Sequence, residues 1–149
     1  MDIGSRAEYP AGALSNFTAH YFEIDGIRCT SMEGFLQSLK VKDPLVQAEI
    51  CQLTGVKAKQ RGEEHNSWKI FQKLWWQGRE YDRHGQEYQE LLDRAYEALF
   101  KNENFRKALL ATGCEVLVHS IGKSNPRDTV LTEEEFCSRL TELRSRITL

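Results

Sequence analysis

Glu33, Gln37 and Lys40 place a carboxylate, an amide and an amine within one short segment of the chain. Their spacing of four and then three residues puts them on a single stripe if residues 31–40 form an α-helix. A carboxylate and an amine on one rigid element could act as a general acid/base and as an amine nucleophile. The alternative is an ordinary amphipathic helix, with Glu33 at its cap and Lys40 in solvent.

The same segment carries the apolar face that a helix needs to pack on a core. Four apolar residues recur at helical spacing on the other side: Met32, Phe35, Leu36 and Leu39. Thr30 and Glu33 are three residues apart, which predicts a capping box at the helix start. Gly34 and Ser38 are four apart, so a neighbouring element could approach this flank closely.

Composition favours one globular domain spanning residues 1–149. The chain is 40% hydrophobic and 10% aromatic, which is enough to bury a core and argues against disorder. The formal net charge of −2 gives no overall attraction to nucleic acid or to an anionic membrane. No apolar run is long enough to predict a membrane span or a signal peptide.

The four cysteines are scattered singly, at positions 29, 51, 114 and 137. They form no Cys-x-x-Cys pair and no Cys/His spacing suited to zinc. We therefore expect no metal and no cofactor. Reduced, mostly buried cysteines indicate a cytoplasmic protein.

Turn signals and periodicity predict a mainly α-helical α+β fold with a few short strands. Asp25-Gly26 and Gln77-Gly78 predict two hairpins, at residues 20–29 and 75–81. Residues 114–118 read as a further strand, followed by a polar loop. Helical patterns cover residues 31–40, a segment starting at Asp43-Pro44 and ending near Gly55, and residues 68–74, 86–100, 105–111 and 133–147.

Two of these helices carry further local signals. Leu45, Val46, Ile50 and Leu53 predict the apolar face of the second helix. Thr132 and Glu135 predict a capping box for the terminal helix.

Several stretches together resemble the NADAR, or YbiA-like, family and follow the family's order over most of the chain. They are Ala13-Leu14-Ser15-Asn16-Phe17, Thr30 to Lys40, Ala58 to Gly62, Ala95 to Phe100 and Phe105 to Gly113. The family often carries a Trp-Gly-x-Gly run where this chain has Val118-His119-Ser120-Ile121-Gly122-Lys123. The loop at 119–124 is therefore the expected place for altered substrate selection.

The resemblance implies a compact YbiA-like fold and cleavage of an N-glycosidic bond. One implied substrate is ADP-ribose attached to guanine in nucleic acid. The other is a phosphoribosylamino-pyrimidine intermediate of riboflavin synthesis. The family's helix Glu and Lys correspond to Glu33 and Lys40, which become the predicted catalytic residues.

A mechanism on these residues would use the uncharged amine of Lys40 to attack the anomeric carbon and form a Schiff base. Glu33 would move protons or stabilise positive charge on the sugar. The pKa of Lys40 must then be lowered by burial or by a neighbouring cation, for which Arg6 is a candidate. The remaining predicted substrate-binding residues are Ser15, Asn16 and Gln37 for ribose hydroxyls, Lys59 or Arg61 for the diphosphate, and His119 and Gly122 in the variable loop.

Two non-enzymatic alternatives remain at this point. A sensor of ADP-ribose or of another nucleotide would keep the pocket without turnover. A small helical interaction protein would use exposed aromatic residues and would have no pocket chemistry.

Overall fold

The computed structural model describes residues 1–147, which fold into an α+β arrangement dominated by helices, as predicted. The strands are β1 (Ala19–Ile24), β2 (Ile27–Ser31), β3 (Lys73–Trp76) and β4 (Arg79–Asp82). The helices are α1 (Met32–Ser38), α2 (Pro44–Cys51), α3 (Gly55–Glu63), α4 (Trp68–Phe71), α5 (Gln86–Leu99), α6 (Glu103–Ala111) and α7 (Glu133–Ser145). No helix within residues 1–147 has both the length and the apolar character needed to cross a membrane.

Both predicted hairpins are confirmed, and each forms a separate two-stranded antiparallel sheet. The turn residues Asp25 and Gly26 have φ angles of 51° and 80°, and Gln77 and Gly78 have 47° and 85°. Two consecutive left-handed residues match the twist of the flanking strands, which explains the Asp-Gly and Gln-Gly turns. The first hairpin leads directly into α1, because β2 ends at the residue before Met32.

Helix α1 is capped by Ser31 and not by Thr30, so the predicted Thr30–Glu33 capping box is wrong. The Ser31 hydroxyl accepts a hydrogen bond from the Gly34 backbone N–H at 3.1 Å. It also donates to the Leu53 carbonyl oxygen at 2.9 Å. Thr30 lies within β2, since the strand continues one residue further than the helix pattern suggests.

The flank of α1 formed by Gly34 and Ser38 is a close-packing surface, as predicted. A Cβ atom on Gly34 would lie 2.7 Å from the Leu53 carbonyl oxygen and 2.8 Å from that of Ile50. The Gln47 side-chain amide donates to the Ser38 carbonyl oxygen at 3.1 Å. The backbone at the end of α2 therefore rests directly on α1 and fixes its position.

We expect Gly34→Ala to destabilise the fold by about 1–3 kcal/mol, the usual cost of overpacking. The added methyl would meet two backbone oxygens that cannot rotate away, and this outweighs the better helix propensity of alanine. Urea unfolding followed by circular dichroism measures the change. Gly4→Ala is the matched control, because a Cβ there would meet no atom within 4 Å. Equal stability of the two variants would contradict the close packing.

Helix α2 begins as predicted and buries Ile50 as expected, but its first turn does not face the core. Asp43 caps it by accepting the Leu45 N–H at 2.9 Å. Leu45, expected in the core, is 79% exposed, whereas Gln47 is buried. Gln47 takes the buried position in the first turns because hydrogen bonds hold its side chain there. Leu53 lies beyond the helix, which ends at Cys51.

Three other sequence predictions also need correction. Gly55 does not end α2 but begins α3 with a φ of 53°. The helix expected over 68–74 is one turn, because Gln72 is left-handed at φ 56° and β3 follows at once. Residues 114–118 do not form a strand; only Val118 forms an isolated bridge, to Asp2.

A buried ion pair joins the second hairpin to α7. Arg83 is 1% exposed, and its guanidinium donates to both carboxylate oxygens of Glu135, at 3.1 Å and 2.7 Å. Its Nε also donates to the Thr129 carbonyl oxygen at 2.9 Å. Glu135 in turn completes the predicted capping box with Thr132, which is confirmed. One arginine thus holds the start of α7 and the loop before it.

Candidate active site

The polar stripe of α1 faces a cavity of about 660 Å³. Glu33, Gln37 and Lys40 all line it, as their spacing predicted. The helix is shorter than the predicted 31–40, however, because it ends at Ser38 and Lys40 lies in the turn that follows. The other walls come from residues 15–17, from α3, and from the loop at 119–132. Ligand pockets typically enclose about 300–1,000 Å³, so a nucleotide-sized molecule would fit.

Glu33 is positioned by two hydrogen bonds. Its backbone N–H donates to the Asn16 carbonyl oxygen at 2.9 Å. Its side-chain oxygen Oε1 accepts from the Gln37 amide at 2.7 Å. Burial raises the pKa of Glu33, although the Gln37 hydrogen bond and the charges of Lys40, Lys59 and His119 partly oppose this. The carboxyl group is therefore suited to hold and release a proton.

Gly62 on α3 provides the space that Gln37 occupies. A Cβ atom at position 62 would lie only 1.7 Å from the Gln37 Oε1 atom. That oxygen is buried and has no hydrogen-bond partner among the described residues. Any side chain at position 62 would displace the Gln37 amide and, with it, the hydrogen bond that orients Glu33.

Lys40 is the second titratable group of the stripe. Burial lowers its pKa to about 8, while the negative charge of Glu33 opposes the change. The positive charges of Lys69 and Lys123 contribute further to the lowering. Within residues 1–147 no carboxylate oxygen lies within 4.0 Å of the Lys40 amine. Glu33 and Lys40 therefore interact across a gap that a substrate could enter.

Arg6 does not supply the cation expected beside Lys40. It is exposed and does not line the cavity, although the adjacent Ser5 does. The cations that act on Lys40 are Lys69 and Lys123, which the sequence analysis missed. No local signal could have found them, since they belong to separate segments brought together only by folding.

Of the two basic residues predicted on α3, only Lys59 lines the cavity. The Arg61 guanidinium is instead directed at carboxylates outside it, 3.7 Å from Glu49 and 3.9 Å from Glu64. Helical spacing explains the difference, because residues two apart on an α-helix point about 200° apart. Lys59, Lys69 and Lys123 thus bring positive charge to the cavity lining, which also includes the carboxylates of Glu63 and Asp128.

Ser15 and Asn16 are both at the cavity, as predicted. The Ser15 hydroxyl accepts the Phe17 N–H at 3.2 Å, which forms a local turn. The Asn16 side-chain oxygen accepts the Tyr96 hydroxyl at 2.9 Å. Because that bond uses the oxygen, the Asn16 amide nitrogen is left to donate to a ligand.

His119 and Gly122 also reach the cavity, from the loop that precedes α7. The His119 Nδ1 atom lies 2.7 Å from the Ile3 carbonyl oxygen. Its ring packs edge-on against Phe136, with ring centroids 5.3 Å apart. Among residues 1–147 no group of three or more His, Cys, Asp or Glu side chains is arranged to hold a metal ion.

Comparison with known proteins identifies the family of this chain. The family described as "Bacteriophage protein GP30.3" matches residues 8–145. The chain belongs to this bacteriophage family. It is a NADAR-like family, which confirms the recognition made from the sequence. The matched region of this chain includes Glu33, Gln37 and Lys40.

A relative within this bacteriophage group covers nearly the whole chain. It is the "Uncharacterized 17.1 kDa protein in Gp30-rIII intergenic region" of Enterobacteria phage T4. The two are 39% identical over 149 residues, which is 99% of this chain and 98% of the relative.

Among solved structures, the chain is similar to the NMR structure of the E. coli protein YbiA. The TM-score is 0.62 at 20% sequence identity, over 99% of this chain and 83% of YbiA. At this identity the likeness shows the fold, and the predicted YbiA-like fold is confirmed.

Proposed function

We propose that this protein is an N-glycosidase that removes ADP-ribose from guanine bases of nucleic acid. The observation that supports this most directly is the pair of titratable groups on α1 and in the turn that follows it. Burial lowers the pKa of Lys40 to about 8 and raises the pKa of Glu33, and both face one cavity. A pair of groups whose pKa values are shifted toward each other is well suited to exchange a proton near neutral pH.

In the first step the Lys40 ammonium passes a proton to the Glu33 carboxylate through one bridging water in the gap between them. The free amine attacks the anomeric carbon, and the bond from that carbon to the guanine nitrogen breaks. The guanine nitrogen keeps the electron pair and takes the proton from Glu33. Lys40 is then joined to the sugar as a secondary ammonium, and the unmodified base leaves.

In the second step Glu33 takes one proton from this ammonium and returns it to the sugar ring oxygen. The bond from the anomeric carbon to the ring oxygen breaks, and a protonated Schiff base forms on Lys40. Water then adds to the anomeric carbon to give a carbinolamine. Its collapse releases the Lys40 amine and the sugar aldehyde, which closes again to ribose.

The cavity walls provide groups suited to the rest of an ADP-ribosyl substrate. Lys59, Lys69 and Lys123 line the cavity, and one or more of them could accept the diphosphate through charge-assisted hydrogen bonds. Ser15 and the Asn16 amide could hold ribose hydroxyls. The positive charge lies within the cavity and not over the whole chain, whose net charge is −2.

A trapping experiment tests this proposal. The protein is incubated with an ADP-ribosylated guanine oligonucleotide, borohydride is added, and the intact protein is weighed by mass spectrometry. We expect released unmodified oligonucleotide and a reduced adduct that maps to Lys40. Release without an adduct would contradict the Lys40 mechanism. If neither appears, the same assay with a phosphoribosylamino-pyrimidine tests the second substrate class, and calorimetry with ADP-ribose tests a binding-only protein.

The pH dependence of turnover follows from the shared proton of Glu33 and Lys40. The reactive pair carries one proton, so activity should rise through the pKa of Glu33, which lies above its ordinary 4.5, and fall above about pH 8 as Lys40 loses its proton. Above that pH the rate should drop about tenfold per unit. Initial rates from pH 4 to 10 measure the profile. A rate that keeps rising beyond pH 8 would show that the Glu33 proton is not used.

Glu33→Gln should lower turnover by about 100-fold, within the range typical of a lost general acid. The amide keeps the size of the side chain and can still accept the Gln37 hydrogen bond, but it cannot carry the proton. Single-turnover release of guanine oligonucleotide measures the effect. Glu23→Gln, at an exposed position of β1, is the matched control. Equal rates for the two variants would exclude Glu33 as the acid.

A further inference from the structure

His119 is the one imidazole placed at the cavity in the part of the chain that the structure describes. It comes from the loop before α7, whereas Glu33 lies on α1 and Lys40 in the turn directly after it. It therefore approaches a bound sugar from a different wall. Its charge is close enough to affect the pKa of Glu33. The mechanism above leaves one proton unassigned, namely the proton lost by the water that attacks the Schiff base.

The hydrogen bond to Ile3 determines which ring nitrogen of His119 can act as a base. A carbonyl oxygen only accepts, so the Nδ1 atom 2.7 Å away must carry the hydrogen. In the neutral ring the lone pair is then on Nε2. Among residues 1–147 this Nε2 atom has no hydrogen-bond partner. The ring is thus set in the tautomer that can accept a proton from a molecule in the cavity.

The loop around His119 holds the ring in one orientation. Backbone hydrogen bonds join Ile3 to Val118 at 2.8 Å and Val118 to Met1 at 3.0 Å, so the carbonyl that binds Nδ1 is itself fixed. A Cβ atom on Gly122 would lie 2.6 Å from the His119 Cδ2 atom, and only glycine leaves that space. Phe136 supports the ring at its edge. Such support is what a catalytic group needs to keep its geometry.

We propose that His119 is the general base of the hydrolytic half of the reaction, an inference that rests on the proposed glycosidase function. Nε2 takes a proton from water as the water oxygen bonds to the anomeric carbon of the Schiff base. The C=N electron pair moves to the Lys40 nitrogen, which gives the neutral carbinolamine. Nε2 then returns the proton to that nitrogen. As the C–N bond breaks, the carbinolamine hydroxyl gives its proton to Nε2 and becomes the sugar aldehyde, and the released Lys40 amine takes this proton to restore the starting ammonium.

Groups on two walls of the cavity would then handle different protons of the reaction. Glu33 and Lys40 share the proton needed for departure of guanine and for ring opening, and the Glu33 Oε1 atom is already engaged by Gln37. An imidazole whose free Nε2 can accept one proton and return it suits the step that remains. Loss of His119 should therefore affect hydrolysis of the adduct and not its formation.

His119→Asn is the sharpest test, because the asparagine Nδ2 can replace the histidine Nδ1 as donor to the Ile3 carbonyl while nothing replaces Nε2. Rapid-quench kinetics should show a first turnover at the wild-type rate, equal to one oligonucleotide released per protein. Steady-state turnover should then fall by about 100-fold. Borohydride should trap most of the variant as the Lys40 adduct. His65→Asn, which lies outside the cavity lining, should behave as wild type.

The outcomes separate this inference from the proposed function. If His119→Asn has the steady-state rate of the wild type, the role of His119 is overturned while the glycosidase proposal stands. The same holds if the variant's first turnover is slowed as much as its steady-state rate. Wild-type protein that releases nothing contradicts the glycosidase itself. Nitrogen-15 NMR of the wild-type histidines is independent of activity and of variant folding. It should show the hydrogen of His119 on Nδ1, and a hydrogen on Nε2 of the neutral ring would overturn the inference.

Discussion

Lys40→Ala is expected to lower release of unmodified guanine oligonucleotide by at least about 1,000-fold, because it removes the nucleophile of the proposed reaction. The borohydride-trapped adduct should disappear with it. Folding should not suffer. The fold lowers the pKa of Lys40, which means that it disfavours the charged form, so stability at pH 7 should stay the same or increase.

Two further variants test whether turnover needs the Lys40 amine itself, its positive charge, or only an undisturbed chain in this region. Lys40→Arg keeps a positive charge at the cavity but cannot form a Schiff base, so it should be as inactive as the alanine variant. Lys42→Ala removes an exposed lysine two residues away and should retain wild-type turnover. Release by Lys40→Ala at a rate close to that of the wild type would exclude Schiff-base chemistry at this residue.

Arg83→Ala is expected to reduce the free energy of unfolding by about 3–5 kcal/mol, the usual consequence of removing one partner of a buried ion pair. The guanidinium is 1% exposed and makes two hydrogen bonds to Glu135. Removing it leaves the Glu135 carboxylate without its counter-charge. Since domains are stable by only about 5–15 kcal/mol, this loss should be visible as a large fall in the urea midpoint.

An exposed ion pair is the matched control for this variant. Arg79 lies 3.0 Å from Glu87, but the two side chains are 57% and 69% exposed. Arg79→Ala should therefore cost no more than about 1 kcal/mol. If both arginine variants lose the same stability, burial of the Arg83–Glu135 pair is not what makes it important.

The effect of Arg83→Ala should also depend on pH. Burial alone would raise the pKa of Glu135, but hydrogen bonds from Arg83, the Thr132 N–H and Gln89 outweigh it and lower the pKa. The stabilisation from this carboxylate is therefore complete above its unfolded pKa near 4.5 and lost as pH falls through the lower folded value. Without Arg83 the pKa of Glu135 should rise. The stability difference between wild type and variant should thus be smaller at pH 3 than at pH 7.

Local sequence signals located the two hairpins and the central helix well. Asp25-Gly26 and Gln77-Gly78 determine their turns because few residues tolerate consecutive left-handed conformations. Helical spacing likewise predicted that Glu33, Gln37 and Lys40 would face the same way, and they do. These features depend on neighbouring residues only, so they can be deduced without knowing the rest of the fold.

Helix boundaries and buried faces were predicted less well, because neighbouring elements decide them. Gln47 is buried in place of Leu45, since its amide satisfies carbonyl oxygens of Ser38 and Trp75 that only the folded chain brings together. Residues 114–118 have a strand-like composition but find only an isolated bridge to Asp2. A strand needs a partner, and composition does not say whether one is available.

The sequence by itself determined the chemical content of the candidate site, namely an acid and an amine seven residues apart that face the same way within a NADAR-like chain. Only the tertiary structure decided the state of these groups. Burial sets the pKa of Lys40 near 8, and the cations beside it are Lys69 and Lys123 in place of the expected Arg6. The tautomer of His119 depends on Ile3, 116 residues away in the chain. Desolvation and hydrogen bonding act through space, so residue order alone does not reveal them.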